Sequence, residues 1–427
     1  MDAIRKYRNQ TFASLKTRNY RLYFIGQTVS LSGTWMQIIA QSWLVLKLTG
    51  SGTALGLVTA LQFLPVLFLW PLAGVIIDRV PKRKLLYCTQ TAAGLLALVL
   101  GVLTVTGAVR LWMVDILALC LGFVNAFDNP TRQTFVSEMV DKEQLPNAVS
   151  LNSTQINLAR AVGPAIGGIL IATIGLAFCF LINAFSYIPV LIALGMMRDK
   201  ELHRVPPAPR AKGQLWLGLH YVLSVPQLRD ALLMMGVIGM FAYEFNVILP
   251  LFARFTFHGD ASNYAALNTA MGLGAVVGGL IGANRKNISP PMLTKAALWF
   301  GTSILLTSIA PNFMLASAAL VLVGIFSINF LSLSNIILQL GSAPEMRGRV
   351  MALWSMAFLG STPIGGPIIG WLGEHAGPRW GLATGGMAAL LAAGFCALRL
   401  RKGKLRAISE AVEAEAEIEV EEDTRIR

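Results

Sequence analysis

The sequence predicts an all-α membrane protein with twelve transmembrane helices in two pseudo-symmetric six-helix bundles. Of the 427 residues, 55% are hydrophobic and only 13% are charged, whereas a soluble protein carries about 25% charged residues. The apolar residues fall into blocks of the roughly 20 residues that are needed to cross a bilayer. These blocks divide evenly, six and six, about a polar, proline-rich segment near the middle of the chain.

The spacing of the blocks divides the chain into four predicted segments. An N-terminal bundle at 1–197 and a C-terminal bundle at 229–400 are joined by a linker at 198–228, and a charged tail follows at 401–427. The N-terminus is polar and basic, so the first apolar block is interpreted as a retained span and not as a signal peptide. Within the linker, HRVPPAPRAKG precedes QLWLGLHYVL, which predicts a short amphipathic helix at the membrane surface.

The net charge of +13 is a signal of topology. If both termini share one face, only four of the 35 Lys and Arg residues lie on the other: Lys47, Arg110, Arg254 and Arg379. The positive-inside rule then predicts a multi-pass protein of the cell (inner) membrane with both termini in the cytoplasm. Because the basic residues follow the membrane topology, the charge does not indicate a nucleic-acid partner.

Metal and cofactor chemistry is not indicated by the sequence. The four cysteines have no paired short spacing, so neither a disulfide framework nor a zinc site is expected. The phosphate-loop pattern GxxxxGK[ST] is absent, which argues against ATP use. The four histidines are scattered over loops and span ends without a partnered acid, so no catalytic residue is expected.

The two halves of the chain resemble each other weakly. GPAIGGIL at 163–170 aligns with TPIGGPII at 362–369, which matches Pro164 with Pro363 and Gly167 with Gly366. Two six-span repeats joined by a loop are typical of a secondary transporter, whose site lies near mid-membrane between the halves. The sequence therefore predicts a transporter.

The loop after the second span reads GVIIDRVPKRK and resembles the signature of the major facilitator superfamily. Its residues of interest are Gly74, Asp78, Arg79, Lys82 and Arg83. The match departs at Pro81, where the family usually has glycine. The resemblance implies a cytoplasmic gate in which Asp78 contacts the other half, at the helix that is expected to start near Gly348. The basic residues alone could equally serve to anchor the loop.

The fifth span contains ARAVGPAIGG, which resembles the antiporter motif of the same superfamily. The matching residues are Ala159, Gly163, Pro164, Gly167 and Gly168. A spacing of four places Ala159, Gly163 and Gly167 on one helix face, where a neighbouring helix can approach closely. Pro164 frees a backbone carbonyl and is expected to kink the helix. Ordinary tight packing is the alternative explanation, and the resemblance favours export.

Three charged residues within the spans are the predicted proton-coupling residues. Arg160 is costly in lipid and should face protein or water, with Asp128 or Glu244 as its partner, unless it snorkels to the interface. Glu244 is the most central acid, and a carboxylate in a low-dielectric environment is suited to carrying a proton. Glu244 could alternatively be a hydrogen-bonded structural acid.

Polar stripes predict the lining of a central cavity. The first span carries Gln27, Ser30, Thr34, Gln37 and Gln41, and the tenth carries Ser332, Asn335 and Gln339. Lipid cannot satisfy such a stripe, so it must face a wet cavity or other helices. The resemblance to the superfamily implies that spans one, four, seven and ten line this cavity.

Residues 18–51, 127–140 and 147–168 are similar to the subfamily that contains the enterobactin exporter and macrolide-efflux proteins. The resemblance implies the major facilitator fold and proton-coupled efflux of amphipathic small molecules by alternating access. It also implies a monomer in the lipid bilayer, with protons and a small-molecule substrate as partners and no cofactor. An importer or facilitated-diffusion carrier on the same fold is the main alternative. A sensor or scaffold and a membrane-embedded transferase are more remote.

Overall fold

The computed structural model describes residues 12–203, 214–283 and 288–401, without the side chains of residues 70–75, 78, 214, 215 and 283. Helices account for all the regular structure in these ranges. The N-terminal half has six long helices: α1 (Arg18–Thr49), α2 (Gly52–Arg79), α3 (Lys82–Val105), α4 (Leu111–Met139), α5 (Leu145–Thr173) and α6 (Leu176–Met196).

The rest of the described chain begins with a short linker helix, α7 (Gln214–Ser224). The C-terminal half then contains α8 (Pro226–Ala242), α9 (Phe245–Leu251), α10 (Ala261–Ala283), α11 (Pro290–Ile309), α12 (Phe313–Gly341), α13 (Arg347–Leu359), α14 (Thr362–His375) and α15 (Pro378–Arg401). A single π turn, Phe252–Thr256, continues α9.

Eleven stretches in the described chain are long and apolar enough to cross a membrane. The predicted total of twelve requires α1 to be counted as well. At 32 residues, α1 is about 48 Å long, since each residue of a helix adds 1.5 Å. Its glutamines, serines and threonines make it less apolar than the other spans, which is the stripe seen in the sequence.

Two spans that the sequence analysis treated as continuous are broken. The seventh span divides between α8 and α9 at Tyr243 and Glu244, and the eleventh divides between α13 and α14 at Gly360 and Ser361. The second break is explained by Pro363, which has no N–H group and so cannot form the helical hydrogen bond to the carbonyl four residues earlier. Proline is well tolerated where it stands, within the first turn of α14.

The two halves meet along two glycine-lined seams, α2 against α14 and α5 against α10. A Cβ atom added at Gly56 would lie 2.8 Å from the Cα atom of Pro367, and one at Gly272 would lie 2.8 Å from that of Ala161. Without a solvent-driven hydrophobic force in lipid, such close backbone approach is what holds helices together. The two stretches aligned by the internal repeat, in α5 and α14, each lie on one of these seams.

Two faces of the bundle can be defined from the chain path. The terminal face carries the start of α1 and the end of α6, where the Arg18 guanidinium donates to the Met196 carbonyl at 2.9 Å. The opposite face carries the turn between α1 and α2. Helix α7 lies within the linker predicted at 198–228, and its Trp216 side chain is 76% exposed. The proline-rich stretch at 204–213 and the tail at 402–427 lie outside the described residues.

Candidate functional site

A cavity of about 340 Å³ lies between the halves and is lined mainly by the N-terminal helices. Aliphatic and aromatic side chains such as Trp35, Phe63 and Val66 share its wall with ten amides: Gln27, Gln37, Gln41, Gln62, Asn125, Asn129, Gln133, Asn152, Asn183 and Asn246. Arg132 and Arg160 are its charged residues, and no Asp or Glu is among the described residues that line it. The C-terminal half contributes Asn246 and Leu359.

The polar stripe of α1 lines the cavity only in part. Four of its five residues line the cavity: Gln27, Thr34, Gln37 and Gln41. Ser30 is buried and is not among the lining residues. The stripe expected on the tenth span, Ser332, Asn335 and Gln339, does not line this cavity. There the Gln339 amide donates to Asn335 Oδ1 at 2.8 Å, near the end of α12.

The structure shows two further stripes of polar residues that the sequence analysis did not identify. Asn125, Asn129 and Gln133 follow one another at intervals of four along α4, and all three line the cavity. Asn152 and Arg160 share a face of α5 in the same way, since residues eight apart lie two turns apart. The spacing that revealed the α1 stripe would also have revealed these.

Asp128 is committed to an ion pair with Arg132. Asp128 is only 4% exposed, and its Oδ2 atom lies 2.7 Å from Arg132 Nε. Its Oδ1 atom accepts hydrogen bonds from the Thr89 hydroxyl at 2.7 Å and the Gln90 amide at 2.8 Å. Asp128 therefore pairs with the arginine one helical turn away, and not with Arg160 as the sequence analysis expected.

Arg160 faces the cavity without a carboxylate partner. Its guanidinium carbon lies 4.9 Å from the centre of the Trp35 ring, in the geometry of a cation–π contact. Its Nε atom is buried and has no hydrogen-bond partner among the described residues. Neither Asp128 nor Glu244 forms an ion pair with it in the described chain. The Arg160 side chain lies on the cavity wall and does not snorkel to the lipid interface.

Glu244 lies where the two broken spans meet. It directly precedes α9, is 4% exposed, and its Oε1 atom has no hydrogen-bond partner among the described residues. Thr362, at the start of α14, lies near the carboxylate. A Cβ atom added at Gly365 would lie 3.1 Å from Oε1. Glu244 does not line the cavity, whereas Asn246 does.

The loop predicted as a gate is only partly described. The side chain of Asp78 and the surroundings of Gly74 lie outside the described part, and Arg79 is exposed. Lys82 forms an ion pair with Glu138 of α4. Arg83 lies 2.8 Å from Asp199 and donates to the Leu194 carbonyl at 2.7 Å. Lys82 therefore binds within the N-terminal half, and Arg83 binds the end of α6 and the start of the linker.

The glycines of the antiporter-like stretch face two different neighbours. A Cβ atom at Gly163 would lie 2.5 Å from that of Trp35 in α1, and one at Gly168 would lie 2.5 Å from that of Ala265 in α10. Gly167 faces Met36 of α1, and Ala159 is buried. Pro164 lies inside α5, which is helical throughout. The stretch thus sits between α1 and the other half.

The opposite face of the bundle is closed by hydrogen bonds between the halves. Glu374, near the end of α14, accepts from the Ser51 hydroxyl at 2.7 Å and from the Thr53 hydroxyl at 2.6 Å. The Arg254 guanidinium, just beyond α9, donates to the Leu46 carbonyl of α1 at 2.8 Å. At this face the two bundles are held together.

Comparison with known proteins identifies the family. The profile of the transmembrane secretion effector family matches residues 9–425, which is nearly the whole chain. The chain belongs to this family. As a transmembrane secretion effector it is a multi-pass membrane transporter of the major facilitator superfamily and not an enzyme. The resemblance noted in the sequence is thereby confirmed.

Several curated relatives match this transmembrane secretion effector over most of their length. The staphyloferrin A transporter of Staphylococcus aureus is 26% identical over 81% of this chain and 87% of its own. Macrolide efflux protein A of Streptococcus pyogenes is 24% identical, over 82% and 89% respectively. The enterobactin exporter of Escherichia coli is also 24% identical, over 87% and 89%.

Solved structures share its fold. A bacterial homologue of the human lysosomal transporter Spinster, in an inward-facing and unoccupied conformation, superposes with a TM-score of 0.71 at 15% identity, over 90% of this chain and 97% of the other. An inward-facing bacterial homologue of the iron transporter ferroportin gives a TM-score of 0.69 at 13% identity, over 89% and 98%. At such low identity the likeness concerns the fold alone, which is the predicted major facilitator fold.

Proposed function

We propose that this protein is a secondary active exporter that couples proton entry to the efflux of amphipathic small molecules by alternating access. The observation that carries the proposal is a cavity, lined by amides, two arginines and apolar side chains, between two bundles that are hydrogen-bonded to each other at only one described face. A secondary transporter binds its substrate at such a place and rocks its halves about it.

The distribution of charge favours loading from the cytoplasm. The terminal face holds nearly all of the Lys and Arg residues, so the positive-inside rule assigns it to the cytoplasm. The closed face, with Glu374 bound to Thr53, is then the outer one. In this arrangement the cavity takes up substrate from the cytoplasm, and Asp78 with its basic loop gates the terminal face when the halves rock.

The direction of transport is favoured by the relatives. Two of them are named as a macrolide efflux protein and an enterobactin exporter. Their names describe substrates released from the cell, which supports export over uptake for this chain. The glycine-rich face of α5, lying between α1 and the other half, is suited to helices that slide as the halves rock.

Glu244 is the proposed proton carrier. Its carboxylate is buried beside the first turn of α14, next to Gly365. Binding or loss of a proton changes the charge at the point where both broken spans meet. A change of charge there alters the fit of α9 against α14, which in turn packs on α2 of the other half. Arg160 and the Asp128–Arg132 pair set the charge of the cavity beside it.

The test uses proteoliposomes with an imposed pH gradient, a trapped pH dye and a panel of macrolides and siderophores. We expect compound-dependent proton movement in the wild type and its loss in Glu244→Gln. Glu345→Gln, which neutralises an exposed acid on the terminal face, is the matched control and should behave as the wild type does. Transport that ignores the gradient would contradict proton coupling and favour a facilitated-diffusion carrier.

A further inference from the structure

Positive and negative charges are not balanced around the cavity. Two arginines line it, and no carboxylate is among its described lining residues. Asp128 pairs with Arg132, so the charges of these two residues nearly cancel. Arg160 has no such compensation, so the described wall carries one uncompensated positive charge.

The surroundings of Arg160 leave part of its guanidinium available. The Trp35 ring covers one face of the group at 4.9 Å, and Nε has no hydrogen-bond partner in the described chain. Cation–π stacking on one face uses none of the N–H donors along the planar edge, and that edge is the part of arginine that binds oxyanions with two parallel hydrogen bonds. An unpaired charge within a membrane span is costly, and a ligand can supply the missing partner.

The rest of the wall suits a ligand rich in oxygen atoms. The amides along α1 and α4 present N–H donors beside the arginines, and Thr34 and Tyr187 add hydroxyl groups. A volume of about 340 Å³ is at the lower end of the roughly 300–1,000 Å³ that is usual for small-molecule pockets. A cationic amine would meet two arginines there and only neutral acceptors.

We infer that this cavity selects oxygen-rich anions, such as carboxylates or phenolates, over cations, with Arg160 as the anchoring residue. The inference rests on the proposed transport function only in taking the bound ligand to be the transported substrate. It narrows the amphipathic substrates expected from the sequence to those that carry an oxyanion.

The test measures equilibrium binding without any gradient. Purified protein in lipid nanodiscs is titrated with fluorescein, an anion, and with rhodamine 6G, a cation built on the same xanthene core. Fluorescence anisotropy reports binding, and empty nanodiscs correct for partitioning into lipid. We expect wild-type protein to bind fluorescein at least tenfold more tightly than rhodamine 6G.

Variants assign the preference to Arg160. Arg160→Gln should weaken fluorescein binding at least tenfold without weakening that of rhodamine 6G, and Arg160→Lys should retain part of the affinity because it keeps the charge. Arg110→Gln removes the same charge from an exposed site at the start of α4 and should have no effect. Melting curves establish whether each variant is folded. If Arg160→Gln is not folded, the inference is tested by the wild-type preference for fluorescein over rhodamine 6G and by the affinity of Arg160→Lys.

Three results would overturn the inference. These are the absence of saturable fluorescein binding, rhodamine 6G binding as tight as that of fluorescein, and equal behaviour of Arg160→Gln and Arg110→Gln. The two proposals fail separately. Anion preference without gradient-driven transport would sink only the exporter proposal, whereas gradient-driven transport with a cation preference would sink only the assignment of the ligand.

Discussion

Glu374 in the C-terminal half caps helix α2 of the N-terminal half through Thr53, the second residue of that helix. Its Oε2 atom accepts from the Thr53 backbone N–H at 2.9 Å and from the Thr53 hydroxyl at 2.6 Å. The first N–H groups of a helix have no partner inside the helix and favour a negative charge nearby. Thr53 and Glu374 are 321 positions apart in the chain. Their capping contact, of a kind that usually forms between neighbouring residues at the start of one helix, here joins the two halves.

Weakening this contact should open the face that it closes. Glu374 is exposed, so we expect Glu374→Gln to cost about 0.5–1 kcal/mol, below the usual value for a hydrogen bond to a charged group. The population open at this face should rise about two- to fivefold. Spin labels at Thr106 and Pro311, exposed on either half at this face, would report the change as longer distances in a background without reactive cysteines.

The control for this measurement is Glu345→Gln, which neutralises an acid at the terminal face. The spin-label distances in this variant should match those of the parent protein. If Glu374→Gln left the distance distribution as it is in the control, the capping contact would have no part in closing this face.

Gly56 should not tolerate a side chain. A Cβ atom there would collide with the Gly366 carbonyl and lie 2.8 Å from the Cα atom of Pro367, and backbone atoms cannot turn aside. We expect Gly56→Ala to destabilise the protein by about 1–3 kcal/mol, as overpacking does, or to separate α2 from α14. Gly279→Ala in α10, where a Cβ atom meets nothing within 4 Å, is the control. Thermal unfolding in detergent checks both, and equal melting temperatures would contradict the prediction.

Asp128→Asn should destabilise the protein and strengthen anion binding together. Removing one partner of a fully buried ion pair costs about 3–5 kcal/mol, and we expect less because Arg132 reaches the cavity. The freed Arg132 adds a second uncompensated positive charge, so fluorescein should bind more tightly than to the wild type. Glu143→Gln, at an exposed acid, is the control. A variant with unchanged stability and weaker fluorescein binding would contradict both expectations.

Asp260 should make the stability of α10 depend on pH. The Ser262 hydroxyl, at 2.5 Å, and the backbone amides of Asn263 and Ser262 hold the pKa of the Asp260 carboxyl below its usual range. A lowered pKa means that the stabilisation is fully present above the usual value of about 4 and is lost as the pH falls through the lowered value. Asp260→Ala should cost about 1 kcal/mol at neutral pH, and this difference should shrink on acidification.

Melting temperatures at a series of pH values test this. Asp260→Asn keeps a capping oxygen without a titratable charge, so its stability relative to Asp260→Ala should not depend on pH. A difference between wild type and Asp260→Ala that stayed constant down to acidic pH would contradict the assignment.

The outline of the protein was readable from the chain alone. The apolar blocks, the polar stripe of α1 and the glycines around Pro164 are local patterns, which depend only on residues close together in the chain. The transfer of a span into lipid depends on its own composition, which is why the spans could be counted without a structure. The similarity to known exporters followed from the same local stretches.

The partners of the charged groups were decided by the tertiary structure. Asp128 is an exception, because Arg132 lies four residues later on the same helix face, a local spacing that the sequence analysis overlooked. The break at Glu244 and its position beside Gly365 depend on how two spans pack.

The sequence by itself determined the spans, the two halves and the family, because these depend on composition and on short-range spacing. Tertiary structure alone decided that Glu374 caps Thr53 and that Arg160 faces the cavity without a carboxylate partner in the described chain. These contacts form between helices far apart in the chain, where hydrogen-bond geometry and close packing select the partners, and no local pattern encodes them.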